Sequence, residues 1–233
     1  MGNTPTATDL TTQHLRSEIA AERRALADLL EHLAPEQWEA PSLCSGWRVR
    51  EVAAHMSLGF RRSLPRVLWE LAKAGGSLHR MTDRTARADA AAFPAGDLAR
   101  FLRDHADHPW TPPVGGYIGA LGHDVVHGLD ITVALGLPRH VPDPRLRILL
   151  DHVTPKSAKF FGADLDGVEL RTTPGIAAAD APAPAASSPG ISWSFGSGSS
   201  LTGSAQDLLL VAFGRKLPPC RLHGAHAARF THP

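Results

Sequence analysis

Gly122-His123-Asp124-Val125-Val126-His127-Gly128-Leu129-Asp130-Ile131 is the stretch on which the reading of this chain turns. It lies within a run from about Tyr117 to Leu135. A loop containing Pro109, Pro112, Pro113, Gly115 and Gly116 precedes that run, and Gly136 and Pro138 close it, which is the punctuation of a single helix. Residues four apart on a helix project from one face a turn apart, so the rings of His123 and His127 can reach a common ion. The chain holds 13 His, and on spacing alone such a pair is more often packed or surface histidine than a ligand pair. A catalytic zinc generally takes three protein ligands and keeps one position open, so a third donor has to come from another element.

Working outward, His55 is the candidate for that donor. A helix is expected after Ser45 or Gly46, with Ser45 as its cap and Val49, Val52, Ala53 and Met56 at helical spacing; His55 lies beside that apolar face. Pro65 is expected to kink this segment, with Val67, Leu68 and Leu71 continuing it to Gly75-Gly76. Before it, Leu15, Ile19, Leu26, Leu29, Leu30 and Leu33 form one stripe of an amphipathic helix over about 10–34, interrupted by Glu22 and ended by Pro35. Met81–Ala92 and Asp97–His105 read as two further helical pieces broken near Pro94. Four long helical units fit an antiparallel bundle.

After Pro144 the character changes. One helix over about 145–160 leads to a strand-like run, Gly167–Thr172. Residues 177–190, dominated by Ala, Pro and Ser, read as a mobile loop. Ile191–Phe195 and Ser199–Thr202 alternate like a hairpin around Gly196 and Gly198, and Ala205–Phe213 reads as a short helix. The fold class expected is therefore mainly α with a small α+β C-terminal subdomain: residues 1–143 a metal-binding helical bundle, residues 144–233 a small mixed α/β subdomain.

Several side chains around the histidines carry chemistry. Asp124 and Asp130 flank the pair, and either can accept the second ring N–H of a ligand His; a solvated charge is the other reading of Asp130. His105 with His108, and His223 with His226 and His232, are rival clusters, the first at a helix end and the second in a tail. Cys44, ahead of the second helix, is read as a packing residue before a nucleophile, although a helix N-terminus lowers a thiol pKa. Trp38 and Trp47 flank the same connection and read as core residues that lock it.

Composition bounds the rest. At 233 residues and 43% hydrophobic content the chain can bury a sizeable core, and a net charge of +1 with scattered signs gives no footprint for nucleic acid or an anionic membrane. No run approaches a membrane span, and the polar start of the chain has no leader pattern. Cys44 and Cys220 are too few and too far apart for a disulfide framework, which fits a reducing cytoplasm. High Ala, Gly, Pro and Arg usage suggests a GC-rich bacterial genome. The expected partner is a small molecule, with the protein a monomer or homodimer.

Two stretches resemble a known family. Leu33-Ala34-Pro35-Glu36-Gln37-Trp38 followed by Pro41-Ser42-Leu43-Cys44-Ser45-Gly46-Trp47-Arg48-Val49-Arg50-Glu51-Val52-Ala53-Ala54-His55 is similar to the N-terminal signature of mycothiol-dependent maleylpyruvate isomerase-like proteins. The run Gly122–Ile131 resembles that family's segment ending in a helix-borne His and an Asp-Ile pair. Leu201–Leu210 with Gly214-Arg215 is similar to its C-terminal end. The resemblance implies an actinobacterial protein with a DinB-like antiparallel four-helix bundle, a small sterol-carrier-like subdomain, a three-ligand divalent metal site with zinc as first choice, and mycothiol as thiol cofactor or cosubstrate. His55, His123 and His127 then become the ligands. Asp124 becomes a supporting catalytic group, and Arg215 a cation for an anionic substrate or cofactor. One departure bears on substrate: the family's isomerase has Glu at the position of His123. Three His leave the ion its full +2 charge, which acidifies a bound water or thiol further and argues against carrying maleylpyruvate over.

The function expected is thus a metal- and thiol-dependent isomerase or S-transferase on a small electrophile. A non-catalytic metal- or ligand-binding module and a metal-dependent hydrolase are the alternatives. A requirement for added thiol separates the enzyme readings, and a polar surround to the site favours chemistry over a structural ion.

Overall fold

The computed structural model describes residues 7–173 and 190–232. The expected loop at 177–190 falls outside them except for Gly190. The described chain divides into two compact units, one within Met1–Pro41 and Gly46–His127, the other within Ser42–Ser45 and Gly128–Pro233.

The first unit is helical. Its elements are α1 (Ala7–Glu31), α2 (Pro35–Glu39), α3 (Val49–Arg61), α4 (Leu64–Lys73), α5 (Leu78–Ala92), α6 (Ala95–Asp104) and the first part of α7 (Gly116–Ala134). Helix α1 packs on α6, and α3 packs on both α5 and α6. The stripe read from α1 is buried at Ile19, Leu26 and Leu30, and that from α3 at Val49, Val52, Ala53 and Met56. Each fully buried Leu contributes about 1.5–3 kcal/mol relative to exposure, which fixes the rotation of both helices. The interruption in α1 is larger than Glu22 alone: Glu22 and Arg23 are both buried.

Two expected features of α3 and α4 are corrected. Ser45 is not the cap of α3; the helix starts at Val49, where the Arg48 backbone N–H donates to Glu51 Oε2 at 2.8 Å. Pro65 does not kink one long helix: α3 stops at Arg62, and Pro65 sits in the first turn of a separate α4, where its missing N–H has no helical partner to lose. Helix α4 also turns Leu64, Leu68 and Trp69 outward while Glu70 is buried. Arg84, at 2.6 Å, and Arg66, at 3.2 Å, hold that carboxylate.

In the second unit, the helix expected over 145–160 is two: α8 (Asp143–Asp151) and α9 (Pro155–Phe160). Thr154 caps α9, its hydroxyl accepting from the Ser157 N–H, and Pro155 opens the first turn. Strands β1 (Val168–Thr172), β2 (Ser194–Gly196), β3 (Ser199–Gly203) and β4 (Leu222–His223) form one sheet in the order β2-β1-β3-β4. The expected hairpin of β2 with β3 is therefore wrong in its pairing. Strand β1 lies between them, antiparallel to β2 and parallel to β3. The connection passes over the start of β1 so closely that a Cβ on Gly198 would stand 2.1 Å from the Gly167 carbonyl oxygen, and φ there is +125°. Alternation identified both strands but could not place the Gly167–Thr172 strand between them. Helix α10 (Ala205–Ala212) covers the sheet, and α8 packs on α10. No described helix is long and apolar enough to cross a membrane.

Candidate metal centre

Helix α3 carries His55 and α7 carries His123 and His127, all three half-buried. Their ring centroids are 5.0 Å apart for His55 and His123, 4.9 Å for His55 and His127, and 4.8 Å for His123 and His127. Each ring offers one nitrogen within 4.8 Å of the other two, a triangle suited to one divalent ion. The structure thus brings together the three histidines selected from sequence. It does not gather His223, His226 and His232 into such a group among the described residues.

His123 is held at both ring nitrogens. Its Nδ1 lies 2.9 Å from Asp124 Oδ1, and Asp124 Oδ2 accepts from Arg23 Nε at 2.8 Å. Asp124 and Arg23 are fully buried. A carboxylate ion-paired to Arg can only accept, so Nδ1 of His123 carries a proton, and in the neutral ring Nε2 then presents a lone pair. That Nε2 faces His55 Nε2 at 3.2 Å. Two ring nitrogens directed at each other share a proton or hold a cation between them.

Aromatic rings stand on either side. The Trp47 centroid is 5.2 Å from His55, with the indole N–H donating to Asp83 Oδ1 at 2.8 Å. Trp110 meets His123 at 5.3 Å and lies against Gly59, where a Cβ would come 2.1 Å from the indole. Trp38 is core as expected, whereas Trp47 belongs to the surround of the histidines.

His105 and His108 do other work. His105 stacks on Phe60 at 5.2 Å. Desolvation, then the nearby His105 and Arg23, hold the His108 pKa below its usual value. A neutral ring fits its contact, since Nδ1 accepts the Trp110 backbone N–H at 3.1 Å. Sequence reasoning missed Arg23 and Trp110. The signal for Arg23 was present: it occupies the apolar stripe itself, four residues from Ile19 and three from Leu26.

Arg215, Asp130 and Cys44 lie in the second unit. Asp130 is fully buried, not solvated, and accepts from Arg215 Nε at 3.0 Å and Nη2 at 2.8 Å. Cys44 Sγ donates to Asp130 Oδ2 at 3.0 Å. Burial first, then the Asp130 charge, push the Cys44 pKa well up, with Arg215 opposing only in part. The thiol is a half-buried donor, not an activated nucleophile. Arg215 has its charge engaged by a carboxylate; burial lowers its pKa, and the Asp130 charge and hydrogen bond more than reverse that.

The fold class is a helical region carrying a possible metal site, followed by a small mixed four-stranded sheet. Residues 19–109 match the family model described as mycothiol maleylpyruvate isomerase N-terminal domain. The matched stretch holds His55 and ends before His123. Among solved structures the chain is similar to one described as the crystal structure of the mycothiol-dependent maleylpyruvate isomerase, with TM-score 0.56 and 16% identity over 99% of this chain and 98% of that one. At that identity the likeness is one of fold. No curated protein matches.

Proposed function

We propose that the protein is a divalent-metal-dependent enzyme that uses a low-molecular-weight thiol, with mycothiol as the first choice, for isomerisation or S-transfer on a small electrophile. The observation that carries this reading is the triangle of ring nitrogens from His55, His123 and His127, all within 4.8 Å of one another. The donor set fits zinc: three neutral imidazoles with no fourth protein ligand required. A zinc ion held there supplies Lewis acidity and lowers the pKa of a thiol or water beside it. Asp124 keeps the Nδ1 proton of His123, so that its Nε2 stays available. Trp47 and Trp110 restrict water at the rings and offer apolar walls to a small substrate. The solved likeness contributes thiol dependence only by analogy of fold. With its charge engaged by Asp130, Arg215 takes no part in this reading.

Metal content of purified, exhaustively dialysed protein is the first test, beside His55→Ala and His127→Ala. Near-stoichiometric zinc or another divalent metal in wild type, lost in both variants, is the expected result. Metal that is absent after reconstitution, or indifferent to both substitutions, would sink the site. Turnover that then requires added thiol supports isomerase or S-transferase chemistry; turnover in thiol-free buffer supports hydrolysis.

A further inference from the structure

Arg23 binds on both sides of the His123 ring's support. Its Nε donates to Asp124 Oδ2 at 2.8 Å, and Asp124 Oδ1 holds His123 Nδ1 at 2.9 Å. Its Nη1 donates to the backbone carbonyls of His108 at 2.8 Å, Ala106 at 3.3 Å and His105 at 3.4 Å. That loop positions Trp110 through the His108 ring, and Trp110 packs on the His123 ring at 5.3 Å. One guanidinium thus reaches the ring along a polar route through Asp124 and along a packing route through the loop.

Stability does not account for such an arrangement. Arg23 is completely buried, and its Nη2 has no hydrogen-bond partner among the described residues. An unsatisfied buried donor costs about 1–3 kcal/mol, and buried ion pairs are often matched or surpassed by apolar replacements of the same volume. What the pair supplies is direction. A His ring that donates Nδ1–H to an oriented carboxylate is held in the less common neutral tautomer, with the Nε2 lone pair aimed outward. Without Arg23, Asp124 loses the partner that fixes Oδ2 and with it the orientation in which Oδ1 meets the ring.

We propose that Arg23 is a positioning residue: through Asp124 and the His105–His108 loop it locks His123 as the Nδ1–H tautomer with Nε2 facing His55, pre-forming the metal triangle before an ion arrives. The metal part rests on the reading above; the hold on the ring does not.

Two measurements on Arg23→Lys separate them. Lys keeps a charge opposite Asp124 but lacks the planar fork that spans the carboxylate and three carbonyls. Arg23→Gln, which keeps Asp124 and an N–H donor toward it, covers the case in which Arg23→Lys does not fold. Long-range ¹⁵N–¹H NMR of the metal-free protein reads the His123 tautomer, and competition with a chromogenic chelator reads Zn²⁺ affinity. The expected result is Nδ1–H in wild type, a mixed or Nε2–H ring in the variants, and Zn²⁺ affinity lower by about ten- to a hundredfold. A purely structural Arg23 would lower the thermal midpoint and leave tautomer and affinity unchanged, and that outcome overturns the proposal. Wild type in the Nε2–H tautomer overturns it as well. Wild type that binds no Zn²⁺ while Arg23→Lys still alters the tautomer overturns the metal centre and upholds the hold on the ring.

Discussion

Helix α7 carries two buried aspartates six residues apart, and the chain uses them differently. Asp124 divides its oxygens between an arginine and an imidazole, so its charge is neutralised on one side and its orientation is spent on a ring on the other. Asp130 gives both oxygens to Arg215 and accepts a hydrogen bond from the Cys44 thiol. Both are carboxylates paired with arginine; Asp124 also holds an imidazole, which has a second ring nitrogen to offer, and Asp130 also holds a thiol. Burial and an ion pair therefore do not by themselves mark a functional carboxylate. What distinguishes them is the chemistry of the third partner.

The largest effect that probes this comparison is loss of either carboxylate. Asp130→Ala leaves Arg215 largely buried without its counter-charge and is expected to cost about 3–5 kcal/mol in denaturant unfolding, most of it regained when Arg215→Met is added. Asp124→Ala is expected to cost a similar amount through Arg23, and also to release the His123 ring to the Nε2–H tautomer, visible by NMR. A cost below the range of surface substitutions for Asp130→Ala would show that the second pair is not structural.

A smaller effect tests the packing side of the ring's support. Gly59→Ala places a methyl group where the Trp110 indole now lies, 2.1 Å from the nearest ring atom. The indole must move, at a cost of about 1–3 kcal/mol for overpacking. Because Trp110 faces His123, Zn²⁺ affinity is expected to fall with stability. Unchanged affinity at reduced stability would confine the support of His123 to the Asp124 side.

Much of this was legible in sequence because it is local. The four-residue spacing of His123 and His127 is a property of one helix, and His55 could be selected because it lies beside an apolar stripe that burial then fixes in rotation. Helix ends at Gly136 and near Pro94 follow from backbone restrictions that need no tertiary context. What was not legible depends on partners distant in the chain. Arg23 lies 101 residues from Asp124, and one sequence cannot announce that pairing, although a guanidinium on a buried stripe hints that a carboxylate must be supplied. The place of β1 between β2 and β3 was missed for the same reason: alternation gives a strand's faces, not its neighbours. Capping of α3 by Glu51 was within reach, since Glu three residues after the cap is a local signal, but Ser45 competed for the assignment.

That cap supports a prediction of about 1 kcal/mol. Glu51 is buried and satisfies the Arg48 N–H at the start of the helix that carries His55. Glu51→Ala is expected to lower stability by about 1 kcal/mol, and Glu51→Gln, which keeps the acceptor, by less. Equal losses in thermal or denaturant unfolding would mean that the charge toward Arg48, rather than the cap, is what Glu51 contributes.

The smallest expected effect returns to Asp130 through Cys44. Burial, followed by the Asp130 charge, raises the folded thiol's pKa above that of the unfolded chain. The folded state therefore binds the thiol proton more tightly, and its contribution to stability is full below the unfolded pKa of about 8.5 and declines as pH rises past it. With the folded thiol still protonated there, the loss at pH 8.5 is about 0.4 kcal/mol relative to neutral pH. Cys44→Ala lacks this component, so the stability difference between wild type and variant should shift in the variant's favour between pH 7 and 9. In parallel, a thiol reagent at pH 8 should label exposed Cys220 promptly and reach Cys44 only on unfolding. Rapid labelling of both thiols in the native protein, or a stability difference flat with pH, would mean that Asp130 does not hold the thiol protonated, and the contrast between the two aspartates would lose one of its terms.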